Sequence, residues 1–390
     1  MGPATSEASV SAAQLVGDWD ALRELEDEWR SVAQARGNAF LTPEWLYAWR
    51  RHYGDKAEPA VVEARDRHRG SIGWMPMTLS GKRRLRSLRF AGANLADYLH
   101  PLAESADSDA ELGAAFGARL GNQLTGWRIL VLDNVDAQAE WLSSLLEAAP
   151  MRLVAVTTRR TELPYAVLPG SWDDYLASRS RNFRSEVGRK LRRLEREHEV
   201  RFRLTTDSAE LPRDLDTFFR LHDTRWENRG GSSSGTRRVR AFHRDFSTGA
   251  LKRGWLRLWT MELDGEPAAA WYGWRVGRRY SYYLAGFEPH WAHASVGFLL
   301  LAHTVRAAIE EGAAEYDLLL GAEAYKRRFA THSRPIETVL LTRAGDPLRL
   351  FLHGEGALRS GYRRLPPRVR DRLRSFVAAA GRRLPSARSR

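Results

Sequence analysis

The segment EYDLLLGAEAYKRRFA, from Glu315 to Ala330, changes character sharply at one glycine. The run from Tyr316 to Leu320 has the composition of a buried strand, and it ends at Gly321. Tyr325 and Lys326 follow within a few residues, so a phenol and an ammonium group come just beyond the end of a predicted strand. From these residues alone, a strand, a turn and the exposed start of a helix explain the pattern. The alternative is that both groups serve a ligand.

A second chemical signal lies in HASVGFLLLAHTVRAAIEEG, from His293 to Gly312. Ser295 and Gly297 stand there at the predicted N-terminus of a helix, directly after a strand. Backbone N–H groups and the positive end of the helix dipole gather at such a place, and a glycine lets an anion approach the backbone closely. The pattern indicates a pyrophosphate site, with a capped helix packed on a sheet as the alternative.

Other kinds of chemistry are excluded or disfavoured by residue types. The 390-residue chain has no cysteine, which excludes disulfides, thiolate metal sites and a cysteine nucleophile. His290, His293 and His303 form no helical H-x-x-x-H face, so no metal is expected. The GSSSG stretch, Gly231 to Gly235, matches the nucleophile-elbow pattern but lacks the flanking strand and helix, so we expect a flexible loop.

The second half of the chain contains the predicted strands and helices that must position Tyr325 and Ser295. Three strand-like runs from Trp255 to Phe287 predict an antiparallel meander, with Asp264-Gly265 suited to the first tight turn. A helix from Phe298 to Glu311 and the strand Tyr316 to Leu320 follow. Basic and amphipathic helices are predicted before the meander, over Arg179 to Glu199 and Leu215 to Trp226.

The first half repeats this order. Two helices are predicted, the second with Thr42 as N-cap and Pro43 in its first turn. Strand-like runs, a helix near Asp109 to Leu124 and a strand from Trp127 to Val135 follow. The repeat predicts an α/β protein of the α+β type with tandem domains, each a mostly antiparallel mixed sheet flanked by helices.

The predicted organisation has four parts: a disordered N-terminus at 1–12, a first domain at 13–165, a second domain at 170–345, and a basic helical tail at 346–390. The tail holds twelve arginines against three carboxylates, so nine of the thirteen net positive charges lie there. Such a tail suits nucleic acid or an anionic membrane face, or is simply solvated. No signal-peptide pattern and no membrane-length apolar run occurs, so we expect a cytoplasmic protein, with peripheral membrane contact through the basic tail as an alternative.

The chain resembles a known family over Ser171 to Thr342. The runs LHDTRW, FEPHWAHASVGFLLL and YDLLLGAEAYKRRFA are similar to the CelD-type acetyltransferase domain of the GNAT superfamily, whose relatives include the Fem aminoacyltransferases. The most specific part is a strand with D-x-x-x-G and then Y-K before an aromatic residue, here Asp317, Gly321, Tyr325, Lys326 and Phe329. FLTPEWLYAW and AGANLADYLHPL extend the resemblance more weakly into the first half.

The resemblance implies tandem GNAT-like domains that bind acetyl-CoA or another acyl-CoA and acylate an amine. Lys326 would place a cation at the developing oxyanion or the donor, Tyr325 would be an acid toward the leaving thiolate, and His222 is a candidate base. Backbone groups would hold the donor: Ser295, Val296 and Gly297 at the pyrophosphate, and Leu284, Ala285 and Gly286 at the thioester.

The acceptor is expected between the two domains, where Asp97, Tyr98, Trp226 and Glu227 are candidate contacts because aromatic faces and carboxylates suit sugars and amines. The family's association with envelope and exopolysaccharide pathways suggests a polysaccharide, amino-sugar or cell-envelope precursor.

Two alternatives remain for the donor and the activity. GNAT enzymes carry R/Q-x-x-G-x-G/A at the pyrophosphate turn, and only Gly297 of that pattern survives here. The donor is then either acyl-CoA or, as in the Fem relatives, aminoacyl-tRNA. A further alternative is a catalytically silent GNAT-like protein that binds nucleic acid through the basic helix.

Overall fold

The computed structural model describes residues 12–66, 70–82, 86–136, 138–227, 236–321 and 324–348. Residues 1–11 of the predicted disordered segment, the GSSSG loop and the basic tail beyond Leu348 lie outside these ranges. Residue contacts divide the described chain into two compact units. The N-terminal unit holds residues 12–36, 40–161 and 335–348, and the C-terminal unit holds 37–39 and 162–334.

The N-terminal unit is a mixed sheet with helices. Its strands are β1 (Ala12–Val16), β2 (Glu58–Asp66), β3 (Gly70–Ser80), β4 (Ser87–Phe90), β5 (Leu102–Ala103), β6 (Ile129–Val135), the first part of β7 (Leu153–Val167) and most of β13 (His332–Arg343). Its helices are α1 (Ala21–Glu24), α2 (Glu26–Arg36), α3 (Pro43–Tyr53), α4 (Ala106–Gly117) and α5 (Glu140–Ala148).

Strands β1 to β4 form an antiparallel meander, and β4 then pairs in parallel with β6 after the crossover that contains α4. Strand β13 adds antiparallel to β6, with Leu340 opposite Val131. The predicted start of α3 is confirmed, since Thr42 Oγ1 accepts from Trp45 N at 3.3 Å and Pro43 is in the first turn. Trp45 and Trp74 are among the fully buried core residues of this unit.

The C-terminal unit has the same plan. Its strands are the end of β7, β8 (Val200–Leu204), β9 (Leu256–Leu263), β10 (Glu266–Val276), β11 (Arg279–Phe287) and β12 (Glu315–Asp317). Its helices are α6 (Trp172–Ala177), α7 (Arg181–Glu197), α8 (Leu211–Glu227), α9 (Arg237–Lys252), α10 (Val296–Glu310) and α11 (Ala324–Phe329).

Strands β8 to β11 are antiparallel, and β11 pairs in parallel with β12 after the crossover through α10. The predicted hairpin turn is confirmed, because Asp264 and Gly265 have φ of 52° and 85°. The core between the sheet and the helices α7 and α10 includes Trp271, Tyr280 and Phe329. Helices α8 and α9 pack on the other face of the sheet. Both units therefore contain one meander, one helical crossover and one parallel strand pair, which confirms the predicted fold class.

Candidate active site

Strands β11 and β12 part in the middle of the C-terminal sheet. They pair only from Arg279 to Ser281, opposite Glu315 to Asp317, although β11 continues to Phe287. Beyond Ser281, β11 pairs with β10 alone among the described strands. The predicted strand Tyr316 to Leu320 is thus wrong in its second half, and the parting leaves an open edge along β11 from Tyr282 onward.

Asp317 stabilises the turn by which the chain leaves β11, while Leu318 N still donates to the Pro164 carbonyl of β7 at 3.1 Å. Its buried Oδ1 accepts from Leu319 N at 2.9 Å, and Leu319 has a φ of 53°, in the left-handed region that non-glycine residues seldom adopt. Burial raises the pKa of the Asp317 carboxyl. The turn brings the carbonyl of Leu320 to the ammonium of Lys326, which donates to it at 2.7 Å.

Tyr325 and Lys326 both contact Tyr282 of β11. The phenol oxygens of Tyr325 and Tyr282 are 2.7 Å apart, and Lys326 Nζ lies 4.9 Å from the Tyr282 ring centroid. Lys326 is buried, with 3% of its surface exposed. Tyr325 and Lys326 are therefore not the solvent-exposed start of a helix. Their phenol and ammonium groups pack against Tyr282 at the open edge of β11.

Arg225 completes this cluster and was not predicted from the sequence. Its guanidinium donates to the Ala285 carbonyl at 3.1 Å and hydrogen-bonds to Tyr282 and Tyr325. Burial lowers the pKa of Arg225, but the two phenol oxygens outweigh burial and leave it above its ordinary value. Arg225 follows His222 by three residues on α8, and this helical spacing is the signal that could have pointed to it.

His222 reaches the same carbonyl. Its Nδ1 is 3.0 Å from the Ala285 oxygen, which can only accept, so Nδ1 carries the proton in this contact. Nε2 is then the nitrogen that can take up a proton. Another histidine, His243, is buried beneath it, and burial together with His222 lowers the pKa of His243 to about 3, which keeps that ring neutral.

The three residues predicted to contact the thioester, Leu284, Ala285 and Gly286, point their backbone groups to different sides of β11. The Ala285 carbonyl points to the open edge, and the N–H of a strand residue points to the same edge as its carbonyl, so the Ala285 amide also faces the opening. Leu284 and Gly286 alternate with it and face β10. Gly286 instead permits close packing, since a Cβ there would lie 2.2 Å from His222 N.

The predicted pyrophosphate turn precedes α10. Ser295 is left-handed with a φ of 59°, Val296 is buried, and the nearest atom to a Cβ added at Gly297 is in the Phe287 ring at 3.4 Å. Lys190 of α7 donates to Ser295 Oγ at 2.9 Å and pairs with Glu186, which also binds Arg328. Hydrogen bonds from Arg328 and Lys190 lower the pKa of Glu186 to about 2.

The four candidate acceptor residues lie in different units of the chain. Asp97 and Tyr98 belong to the N-terminal unit and are buried there, with Tyr98 edge-on to Phe40 at 5.8 Å. Trp226 and Glu227 end α8, and their side chains lie outside the described part of the chain. Their role as acceptor contacts stays a prediction.

Over the described ranges, no three histidine, cysteine or carboxylate side chains converge as metal ligands. Nor does any helix of the described chain have the length and apolar content of a membrane span.

Residues 181–327 match the family model described as an acetyltransferase (GNAT) domain. The fold is that of a GNAT acyltransferase. A solved structure of FemX is similar to the chain at 11% identity and a TM-score of 0.61, covering 84% of this chain and 98% of that one. The C-terminal domain of a putative lysylphosphatidylglycerol synthetase from Agrobacterium fabrum is similar at 13% identity and a TM-score of 0.51, covering 86% and 96%.

At these identities the two structures support the GNAT fold alone. The sequence comparison with curated proteins gives no match. The GNAT part of the predicted resemblance is confirmed, and the CelD type stays a prediction.

Proposed function

We propose that this protein is an N-acyltransferase that uses an acyl-CoA donor, with acetyl-CoA as the first candidate. The observation that supports this most is the parting of β11 from β12. It leaves an edge of β11 where His222 and Arg225 bind the Ala285 carbonyl and where Tyr325 and Lys326 contact Tyr282. A proton acceptor, donors for an oxyanion and an acid for the leaving group are the groups that direct attack of an amine on a thioester needs.

In this mechanism the amine nitrogen attacks the thioester carbonyl, and His222 Nε2 takes the proton that the nitrogen loses. The Ala285 N–H and the Lys326 ammonium stabilise the oxyanion of the tetrahedral intermediate. When the C–S bond breaks, Tyr325 gives its proton to the thiolate sulfur. Tyr282, 2.7 Å from Tyr325, returns a proton to it, and Arg225 holds the negative charge left on the phenol pair.

The acceptor in this proposal is an amine of a polysaccharide, amino-sugar or cell-envelope precursor. This part rests on the CelD-type resemblance alone. The Arg-rich tail would dock the enzyme on an anionic membrane face. Deleting residues 346–390 should then weaken binding to phosphatidylserine vesicles and spare acylation of a soluble amine, and undiminished vesicle binding would contradict the docking.

Calorimetric titration with acetyl-CoA and CoA tests the donor. Gly297→Glu should abolish saturable binding because it puts a carboxylate at the proposed pyrophosphate position. Gly297→Ala is the matched control and should bind as the wild type does, because a methyl group there meets only the Phe287 ring at 3.4 Å. A wild-type protein that binds neither ligand would refute the acyl-CoA proposal.

An aminoacyl-tRNA donor is the second candidate. It is favoured by the departure of the turn before α10 from the GNAT pattern, of which only Gly297 remains. Transfer of a radiolabelled amino acid from charged tRNA, with no binding of acetyl-CoA, would select it.

A further inference from the structure

The outer face of α7 carries a row of arginines that the proposed acyl transfer does not use. Its four members are exposed, and we call them the arginine row: Arg181, Arg189, Arg192 and Arg196. In an α-helix these positions fall within about 80° around the axis and span about 22 Å along it. The opposite face of α7 is fixed in the core of the C-terminal unit by Phe183, Val187 and Leu194.

The arginine row has no partners within the described residues: no hydrogen bond or ion pair joins its guanidinium groups to other side chains there. The carboxylates of α7 that form ion pairs do so elsewhere on the helix, Glu186 with Lys190 and Glu197 with Arg193. Several arginines on other helices of the same unit are paired, as in Arg220–Glu288, Arg244–Asp216 and Arg306–Glu310. Arg237 of α9 and Arg327 of α11 are exposed and, like the row, have no hydrogen bond or ion pair within the described residues. On α7, however, four such arginines lie in one line, so their uncompensated charges add up along one helix face.

The helix dipole does not account for the first member of the row. Arg181 is the first residue of α7, and no acidic residue occupies the first turn. A cation at this end opposes the helix dipole, which favours acidic residues there. Arg181 is thus placed against the electrostatic preference of the helix, whereas Arg196, in the last turn, agrees with it.

We propose that the arginine row binds the phosphodiester backbone of a nucleic acid. Guanidinium groups match phosphate oxygens with paired N–H donors, and a line about 22 Å long faces several successive phosphates of a strand that carries one per about 3.4 Å. A lipid surface fits less well. The apolar face of α7 is buried and cannot insert, and a plane of anionic headgroups would also meet the exposed Glu195 beside the row.

The test uses the full-length protein and fluorescein-labelled 20-nucleotide probes: single-stranded RNA, an RNA duplex and a DNA duplex. Anisotropy titrations between 50 and 300 mM KCl give the slope of log K against log salt. One variant replaces the row (R181Q/R189Q/R192Q/R196Q). A matched variant removes the same charge from ion-paired arginines of the same unit: R193Q/R220Q/R244Q/R306Q.

The row variant should lose about 3 from the salt slope, since each phosphate contact contributes about 0.7–0.9, whereas the matched variant should lose less than about 1. The three probes then show whether RNA, DNA or both are bound. Equal losses in the two variants would overturn the proposal, because net charge alone would then explain binding. Row-dependent binding to phosphatidylserine vesicles without row-dependent binding to any nucleic acid would also overturn it. Circular dichroism of both variants checks that the fold is retained.

Discussion

Alanine substitutions at Gly286 and Gly297 test whether close packing of α8 on β11 positions the candidate site. An ideal Cβ at Gly286 would lie 2.2 Å from His222 N and 2.4 Å from Leu221 C. Ordinary contacts between such atoms are about 3.5 Å or more, so α8 would have to retreat from β11 by more than about 1 Å. Because the opposing atoms are backbone, we expect Gly286→Ala to cost about 3 kcal/mol of the free energy of unfolding.

At Gly297 the same change meets only a ring carbon at 3.4 Å, so Gly297→Ala should keep or raise stability by about 0.5 kcal/mol, as expected when alanine replaces glycine in a helix. Thermal unfolding of the two variants measures the contrast. Gly286→Ala should lower the midpoint by about 6–12 °C for a unit of this size. It should also lower acyl-transfer activity in the folded fraction, because His222 and Arg225 move from the Ala285 carbonyl. A Gly286→Ala protein as stable as the wild type would refute the reasoning.

Three further predictions concern single side chains. Tyr282→Phe should lower kcat about 10-fold with an unchanged KM, because it removes the hydroxyl that returns a proton to Tyr325. Steady-state kinetics with acetyl-CoA measure this change, and an unchanged kcat would contradict it. Burial lowers the pKa of His303 to about 4. Between about pH 6.5 and 4 this histidine is therefore protonated in the unfolded chain and neutral in the folded protein. Stability of the wild type should fall in this range, relative to His303→Leu, by up to about 3 kcal/mol at pH 4 in urea denaturation, and parallel pH profiles would exclude the effect. The pKa of Glu186 is depressed to about 2, so its stabilisation is present above its unfolded pKa of about 4.3 and is lost as pH falls towards 2. Glu186→Gln should therefore be less stable than the wild type at pH 7, with a difference that disappears near pH 2, and a difference that persists there would argue against these ion pairs.

The elements with regular local patterns were predictable from the sequence. The meander, its Asp264-Gly265 turn and the helix α10 are set by residue alternation, turn chemistry and helical periodicity. Strand β7 was missed because its middle, TTRRTE, has no apolar alternation. Non-local contacts support this part of the strand, including hydrogen bonds from Thr157 and Thr158 to Glu337 and Thr338 of β13. Helix α9 and strand β13 were missed as well.

The candidate site shows a similar limit. Tyr325 and Lys326 were visible as a change of residue type, but their contact with Tyr282 depends on the left-handed turn at Leu319, which local propensity does not predict for leucine. Arg225 was missed because an arginine on an amphipathic helix usually lies on the solvent-exposed face. Only the packing of α8 on Gly286 turns Arg225 toward the Ala285 carbonyl.

The pairing of β13 with β6 has a consequence for how the protein is made. Val339 and Leu340 lie opposite Leu132 and Val131, about 200 residues earlier in the chain. During synthesis the N-terminal unit therefore stays without its β13 strand until nearly the whole C-terminal unit has left the ribosome. At about 5–20 residues per second this delay lasts roughly 10–40 s, during which the edge of β6 is open to wrong partners. We therefore expect the nascent chain to need chaperones most late in translation, before β13 has left the ribosome. Truncations that remove β13 should destabilise the N-terminal unit.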